Sequence, residues 1–98
     1  MSILHIVNKS PYERNSVALA VDYMRDGDTL LLIEDAVYTV MQGGKAASII
    51  DGQKAIVLGP DLAARGIAKE KMIDGVEVVD YAGFVDLVEA SDKTQSWL

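Results

Sequence analysis

Cysteine is absent from the 98 residues of this chain. Its absence excludes disulfide bonds, cysteine-ligated zinc and any thiolate or persulfide chemistry on the chain itself. There is one histidine, which cannot build a histidine metal site alone. No apolar run approaches the roughly 18 residues that a membrane span needs. Because the residues that follow Met1 also lack a basic stretch leading into a long apolar one, we expect a cytoplasmic protein without a membrane partner.

Positive charge is also scarce, with 9 lysines and arginines against 15 acidic residues and a formal net charge of −6. Proteins that bind nucleic acid usually carry a basic stripe that displaces counterions from phosphates. Here Lys45, Lys54, Lys69 and Lys71 are dispersed among acidic residues. We therefore expect no direct contact with nucleic acid. Hydrophobic residues make up 50% of the chain, enough for one folded domain spanning residues 1–98.

Short apolar runs alternate with helical segments, a pattern that predicts an α/β fold with a mainly parallel sheet of four or five strands and helices on both faces. The runs at 3–7, 29–33, 55–58 and 76–79 are the predicted strands. A fifth strand is placed either near Met72 and Ile73 or in the C-terminal tail.

Two helices have recognisable signals. Ser10 as N-cap, Pro11 at the first position and Glu13 closing a capping box predict that the first helix begins near residue 11. Its predicted inward stripe follows the 3.6-residue period, and consists of Val17, Ala20, Val21 and Met24. Asp80 is the predicted cap of the last helix, whose inward stripe is predicted to be Tyr81, Phe84, Val85 and Val88.

Signatures of common cofactor and catalytic sites are missing. The first strand is not followed by Gly-x-Gly-x-x-Gly, so a dinucleotide site has no support. No Gly-x-Ser-x-Gly elbow exposes a nucleophilic serine. We expect no cofactor, no metal and no catalytic residue on this chain.

Acidic residues follow the predicted strands, at Glu34 and Asp35, at Asp61 and at Asp80. The carboxyl ends of parallel strands form the usual ligand crevice of such a sheet, and clustered carboxylates there can hold a magnesium ion. Each acid can equally cap or precede the next helix, where it favours the positive end of the helix dipole, and we favour this interpretation. The alternative is a stand-alone ligand- or metal-binding module that uses this acidic edge.

His5 interrupts the first strand. A histidine there can act as an acid–base group, but no nucleophile is evident beside it, and we favour a hydrogen-bonded structural histidine. Aromatic and methionine side chains are enriched at protein interfaces. The predicted partner interface therefore contains Tyr12, Tyr38, Met41 and Trp97, which fall in predicted loops, short helices or the tail. For Trp97, the alternative that the tail folds back on its own domain is equally weighted.

Several segments together resemble the DsrH/TusB family, and DsrH most closely. They are Leu4-His5 with Asn8-Lys9-Ser10-Pro11, Leu31 to Asp35, Leu58-Gly59-Pro60-Asp61-Leu62 with Ala64-Arg65-Gly66, Val79 to Leu87, and Gln95-Ser96-Trp97-Leu98. No single segment is diagnostic, but their order and spacing cover nearly the whole chain. The resemblance implies a DsrE-like, Rossmann-like fold.

The resemblance also implies a role. Members of this family are subunits of a cytoplasmic sulfur-relay complex, a heterohexamer with two copies each of three related chains. The implied partners are a DsrE/TusD-like chain, which carries the active cysteine, and a DsrF/TusC-like chain. The implied complex passes persulfide sulfur to a DsrC/TusE-like acceptor, either in sulfur oxidation or in 2-thiolation of the tRNA wobble uridine.

One position departs from some relatives. Some DsrH proteins carry a cysteine in the first helix, and the local match places that position at Ala20. The replacement removes a sulfur-carrying role, so the chain is expected to be a non-catalytic subunit and not an enzyme on its own.

Overall fold

The computed structural model describes residues 2–97, which form a five-stranded sheet in the order β4-β3-β2-β1-β5. All four strand pairs are parallel. The strands are β1 (Ile3–Val7), β2 (Thr29–Leu32), β3 (Ala55–Leu58), β4 (Glu77–Val79) and β5 (Lys93–Trp97). The predicted α/β class is confirmed, and the fifth strand lies in the tail. An isolated antiparallel bridge also joins Met41 to Met72.

The central strands β2 and β3 are buried along their whole length because both of their faces are covered. One face packs against α1 (Ser16–Tyr23), the 3₁₀ helices Glu34–Val40 and Ala47–Ile50, and α2 (Gly59–Ala64). The residues buried on this larger side include Val7, Val17, Ala20, Leu30, Leu32, Val37, Val40, Val57 and Leu62. This side therefore holds most of the hydrophobic core.

The opposite face is covered mainly by α3 (Tyr81–Ala90). Leu4, Leu31 and Ile56 project from the sheet, and Phe84 and Leu87 of α3 pack on them. The Asp80 side chain accepts a hydrogen bond of 2.8 Å from the Gly83 backbone N–H, which confirms the predicted cap. No residue of α3 is fully buried, so this helix covers its face of the sheet only partly.

The start predicted for the first helix was wrong. The helix α1 begins at Ser16, and residues 11–14 form a turn instead. The Ser10 carbonyl accepts the backbone N–H groups of Glu13 and Arg14, and the Ser10 hydroxyl accepts the N–H of Tyr12. A serine that bonds the following backbone in this way stabilises a local turn that competes with the helix.

The inward stripe predicted for the last helix was wrong in part. Phe84 contacts the core, but Tyr81 is 61%, Val85 54% and Val88 38% exposed. The second inward residue is Leu87, one position before Val88. Two apolar stripes run along α3, and the sequence pattern alone did not decide which of them faces the sheet. Among residues 2–97, no helix is long and apolar enough to span a bilayer.

Paired truncations test this assignment of the two stripes. We expect Phe84→Ala to lower the free energy of unfolding by about 2–4 kcal/mol, because it leaves a cavity against the sheet. Val85→Ala, one residue away on the exposed stripe, should cost less than about 0.5 kcal/mol. Urea denaturation of both variants measures the difference. Equal losses would mean that both stripes contribute to the core.

Candidate functional site

A chain of polar contacts runs from the residue before β2, through the middle of β1, to the last residue of β5. The Asp28 carboxylate, just before β2, accepts hydrogen bonds from the backbone N–H of Ile3 at 2.9 Å and of Arg25 at 3.1 Å. It also contacts His5 Nε2 at 3.0 Å, with side-chain exposures of 3% for His5 and 1% for Asp28. Trp97 Nε1 lies 3.1 Å from His5 Nδ1. These contacts link β5, β1 and the start of β2, and we call the three side chains the Asp28–His5–Trp97 chain.

The partners of His5 determine its tautomer. An indole N–H can only donate a hydrogen bond, so His5 Nδ1 must accept one from Trp97. His5 Nε2 then carries the hydrogen and donates it to Asp28. A second proton on His5 would place two donors against each other at Nδ1. Both imidazole nitrogens are thus occupied, as expected for a hydrogen-bonded histidine, and its structural role stays a prediction.

The carboxyl of Asp28 is held in its charged form. Burial by itself would raise the pKa of Asp28, but the hydrogen bonds from His5, Ile3 and Arg25 outweigh burial, and the pKa lies below its ordinary value of 3.8. A buried carboxylate is tolerated only when donors surround it in this way.

A groove of about 390 Å³ lies over this chain of contacts, between the end of α1 and β5. Tyr23 and Trp97 form one wall, with an edge-to-face ring contact at 5.2 Å. Arg25 and Lys93 also line the groove. Among the described residues 2–97, no serine, threonine or cysteine lines it, and Trp97 occupies the lone pair that the imidazole would need to act as a base. The arrangement resembles a catalytic dyad, but Trp97 occupies the imidazole nitrogen that a general base would turn towards its nucleophile.

The acidic residues at the carboxyl edge are used by the fold. The Glu34 backbone N–H donates to Asp61 Oδ2 at 2.6 Å, and Asp35 Oδ1 pairs with Arg65 Nε at 2.9 Å. Asp80 caps α3. Within residues 2–97, no group of three or more histidine or acidic side chains is arranged to hold a metal ion. These contacts match the capping and pairing interpretation of the acidic residues.

The residues predicted for the partner interface lie in different places. Tyr12 is 57% exposed, and its hydroxyl lies 3.4 Å from the backbone nitrogen of Ala46. Tyr38 and Met41 are partly buried against the main core, and Met41 bridges to the segment before β4. Trp97 lies in β5, at the other edge of the sheet. The structure does not unite them into one surface, and their contact with a partner stays a prediction.

Ala20, the expected position of the family cysteine, is fully buried on the core-facing side of α1. Sequence reasoning missed other residues of interest. The exposed stripe Tyr81, Val85 and Val88 was assigned to the core, and Asp28 was not singled out. The only signal for Asp28 was an acid placed between Gly27 and an apolar strand, which is also typical of an ordinary turn.

Comparisons with known proteins agree with this fold. The profile of the family described as DsrH-like protein matches residues 9–94. The chain belongs to the DsrH-like family. It is 34% identical over 97 residues to the protein TusB of Enterobacter sp. (strain 638), covering 97% of this chain and 100% of that protein. It is 30% identical over 99 residues to the protein TusB of Pectobacterium parmentieri, with the same coverage of both chains. The predicted DsrH/TusB relationship is therefore confirmed.

Solved structures extend the likeness of the fold. The ychN protein from E. coli superposes with a TM-score of 0.81 at 23% identity, covering 99% of both chains. Protein Tm0979 from Thermotoga maritima gives a TM-score of 0.67 at 21% identity, covering 91% of this chain and 92% of that one. Membership of the DsrH-like family implies a sulfur-relay subunit, and this member has no cysteine to carry sulfur.

The buried carboxylate makes a prediction about pH. A group whose pKa is lowered by folding stabilises the native state above its ordinary pKa, and this contribution is lost as the pH falls through the lowered value. We expect Asp28→Asn to cost about 2 kcal/mol at pH 7, because a charge-assisted network is removed. The difference from wild type should shrink below pH 3.8. Urea titrations followed by the single tryptophan measure it, and a difference independent of pH would contradict the assignment.

The burial of Ala20 makes a prediction about reactivity. Ala20→Cys should fold, because a thiol behaves as a small apolar group in a core. Its thiol should react with a disulfide reagent only after denaturation, since it faces the sheet. Ala82→Cys, on the exposed surface of α3, is the matched control and should react at once. Rapid native labelling of both thiols would show that position 20 is accessible in the free chain.

Proposed function

We propose that this chain is a non-catalytic subunit of a sulfurtransferase complex of the DsrEFH/TusBCD type. Its partners would be a DsrE/TusD-like and a DsrF/TusC-like chain, assembled as two copies of each, and the complex would deliver persulfide sulfur to a DsrC/TusE-like acceptor. Membership of the DsrH-like family together with the complete absence of cysteine is the observation that carries the proposal.

The chemistry of persulfide transfer supports this division of labour. An attacking thiolate takes the outer sulfur of a persulfide and releases the donor thiolate. Each protein that receives and passes on the sulfur therefore needs a thiol of its own. This chain could offer only methionine thioethers, which are not ionisable. Its contribution therefore comes through shape and association, and the reacting thiolates belong to its partners.

The exposed stripe of α3 supports association. Tyr81, Val85 and Val88 lie at i, i+4 and i+7, on one side of a helix whose other side contacts the sheet. A small domain gains stability when it buries such residues against a partner. We propose this stripe as one contact surface of the complex. It adds to the predicted interface residues Tyr12, Tyr38, Met41 and Trp97.

Of the two pathways, tRNA wobble-uridine 2-thiolation is the better supported. Three relatives that match the chain over their whole length at 30% identity or more carry the name TusB. The strongly acidic surface charge does not favour contact with tRNA by this chain. In this proposal the complex and its acceptor handle the sulfur, and other proteins contact the tRNA. Sulfur oxidation is the second candidate, supported by the DsrH-like family profile.

Coexpression tests the proposal. The chain, produced with a DsrE/TusD-like and a DsrF/TusC-like chain from the same organism, should co-purify with both of them. Native mass spectrometry should give a mass that fits two copies of each chain. Treatment of the complex with a persulfide donor should add sulfur to a partner cysteine and leave this chain unmodified. A chain that stays separate from both partners, or that carries added sulfur itself, would refute the proposal.

A charge placed on the α3 stripe tests the surface. Val85→Asp should reduce the yield of complex at least tenfold, because it buries an unpaired carboxylate, while the melting temperature of the free chain changes little. Glu89→Gln, at an exposed polar position of the same helix, is the matched control and should assemble normally. Normal assembly of Val85→Asp would exclude the stripe and leave the rest of the proposal standing.

A further inference from the structure

The two edges of the sheet differ in how they are protected. β4 has only three residues and begins with the exposed Glu77, so it offers little backbone to another strand. β5 has five residues, of which Lys93 to Ser96 are exposed, and it contains no proline. Its pairing with β1 keeps a regular register from Lys93 to Trp97, without a bulge. Long, regular edge strands tend to pair with other chains, so β5 is the edge open to pairing.

The hydrogen bonds show which backbone groups of β5 point outward. The Lys93 N–H donates to the Ser2 carbonyl, toward β1. Along a strand, alternate residues direct their N–H and C=O groups to opposite sides, so Gln95 and Trp97 also turn toward β1. Thr94 and Ser96 therefore turn outward. The outward carbonyl of Ser96 agrees with this, because it accepts a hydrogen bond of 3.2 Å from the Gln95 side chain.

From this geometry we infer that β5 pairs in antiparallel fashion with β5 of a second copy of this chain, about a two-fold axis at Gln95. The axis places Thr94 opposite Ser96 of the second copy, and these are the residues whose N–H and C=O groups face outward. Each such pair exchanges both of its hydrogen bonds. Gln95 then lies opposite Gln95 of the second copy, in the closer, non-hydrogen-bonded type of pair. The pairing displaces the Gln95 amide from the Ser96 carbonyl, which it covers in the single chain.

The side chains of β5 fit this pairing. Lys93 lies opposite Trp97 of the second copy, where a lysine ammonium can approach the indole, and no like charges face each other. In the single chain Lys93 to Ser96 are exposed, so this edge is not covered by another element among residues 2–97. The net charge of −6 on each chain opposes association, so added salt should strengthen the pairing. A second copy is favoured over a foreign strand because β5 supplies its own complement in this register, with Lys93 of each copy against Trp97 of the other.

The absence of native cysteine makes cross-linking a clean test. In the full chain, Gln95→Cys should form a disulfide-linked dimer under mild oxidation, since a non-hydrogen-bonded antiparallel pair brings the two Cα atoms within disulfide range. Lys93→Cys is the matched control on the same face of β5. Its copies would lie roughly 13 Å apart along the paired strands and should not cross-link. Cross-linking at both positions, or at neither, would overturn the inference.

A second pair of variants tests the outward backbone without a thiol. Ser96→Pro removes an N–H that the pairing uses but that β1 does not. Ser96→Val keeps that N–H and, unlike proline, is favoured in strands. Sedimentation of the full chains in added salt should show a dimer for wild type and Ser96→Val, with the dissociation constant raised at least tenfold by Ser96→Pro. Circular dichroism and Trp97 fluorescence verify the fold of each. Equal association of the two variants, or a monomeric wild type, would contradict the inference, which does not depend on the proposed sulfur-relay function.

Discussion

The buried carboxylate of Asp28 is the constraint on which the amino end of the sheet depends. An ionised carboxylate away from water is costly unless donors surround it, and here β1 supplies two of them, through Ile3 and His5. Satisfying Asp28 fixes the imidazole tautomer, and that tautomer accepts the indole of Trp97. The position of β5 at the open edge is thus connected to an acid at the start of β2.

The two faces of the sheet contribute differently to stability because they are buried to different extents. The side of α1 and α2 is a continuous core around residues such as Leu30 and Val57, and it supplies most of the hydrophobic stabilisation. The other side has little more than Phe84 and Leu87 over it, and it leaves an apolar stripe on α3 in water. The domain therefore folds mainly around one side, and the exposed stripe of α3 on the other side is the surface that we propose for association.

The sequence was informative where one signal dominated, as in the apolar runs that became β2 and β3, which are buried on both faces. It failed where two local structures competed. The serine, proline and glutamate at 10–13 fit a helix start, but Ser10 bonds to the backbone of a turn instead. The Asp28–His5–Trp97 chain could not be anticipated, because its members are 23 and 92 residues apart and only the strand order brings them together.

The Asp28–His5–Trp97 chain also shows that a candidate catalytic site must be judged by which lone pairs and N–H groups are not already used in hydrogen bonds. A buried histidine that bonds to an aspartate is the arrangement by which many hydrolases orient a general base. Such a base needs its second nitrogen lone pair for the nucleophile, and here Trp97 occupies that lone pair with its own N–H. In the part of the chain that the structure describes, no serine, threonine or cysteine lines the groove above it. The same pair of residues that could orient a base therefore holds a strand in place, and any sulfur chemistry in which this chain takes part has to come from a thiolate on another chain.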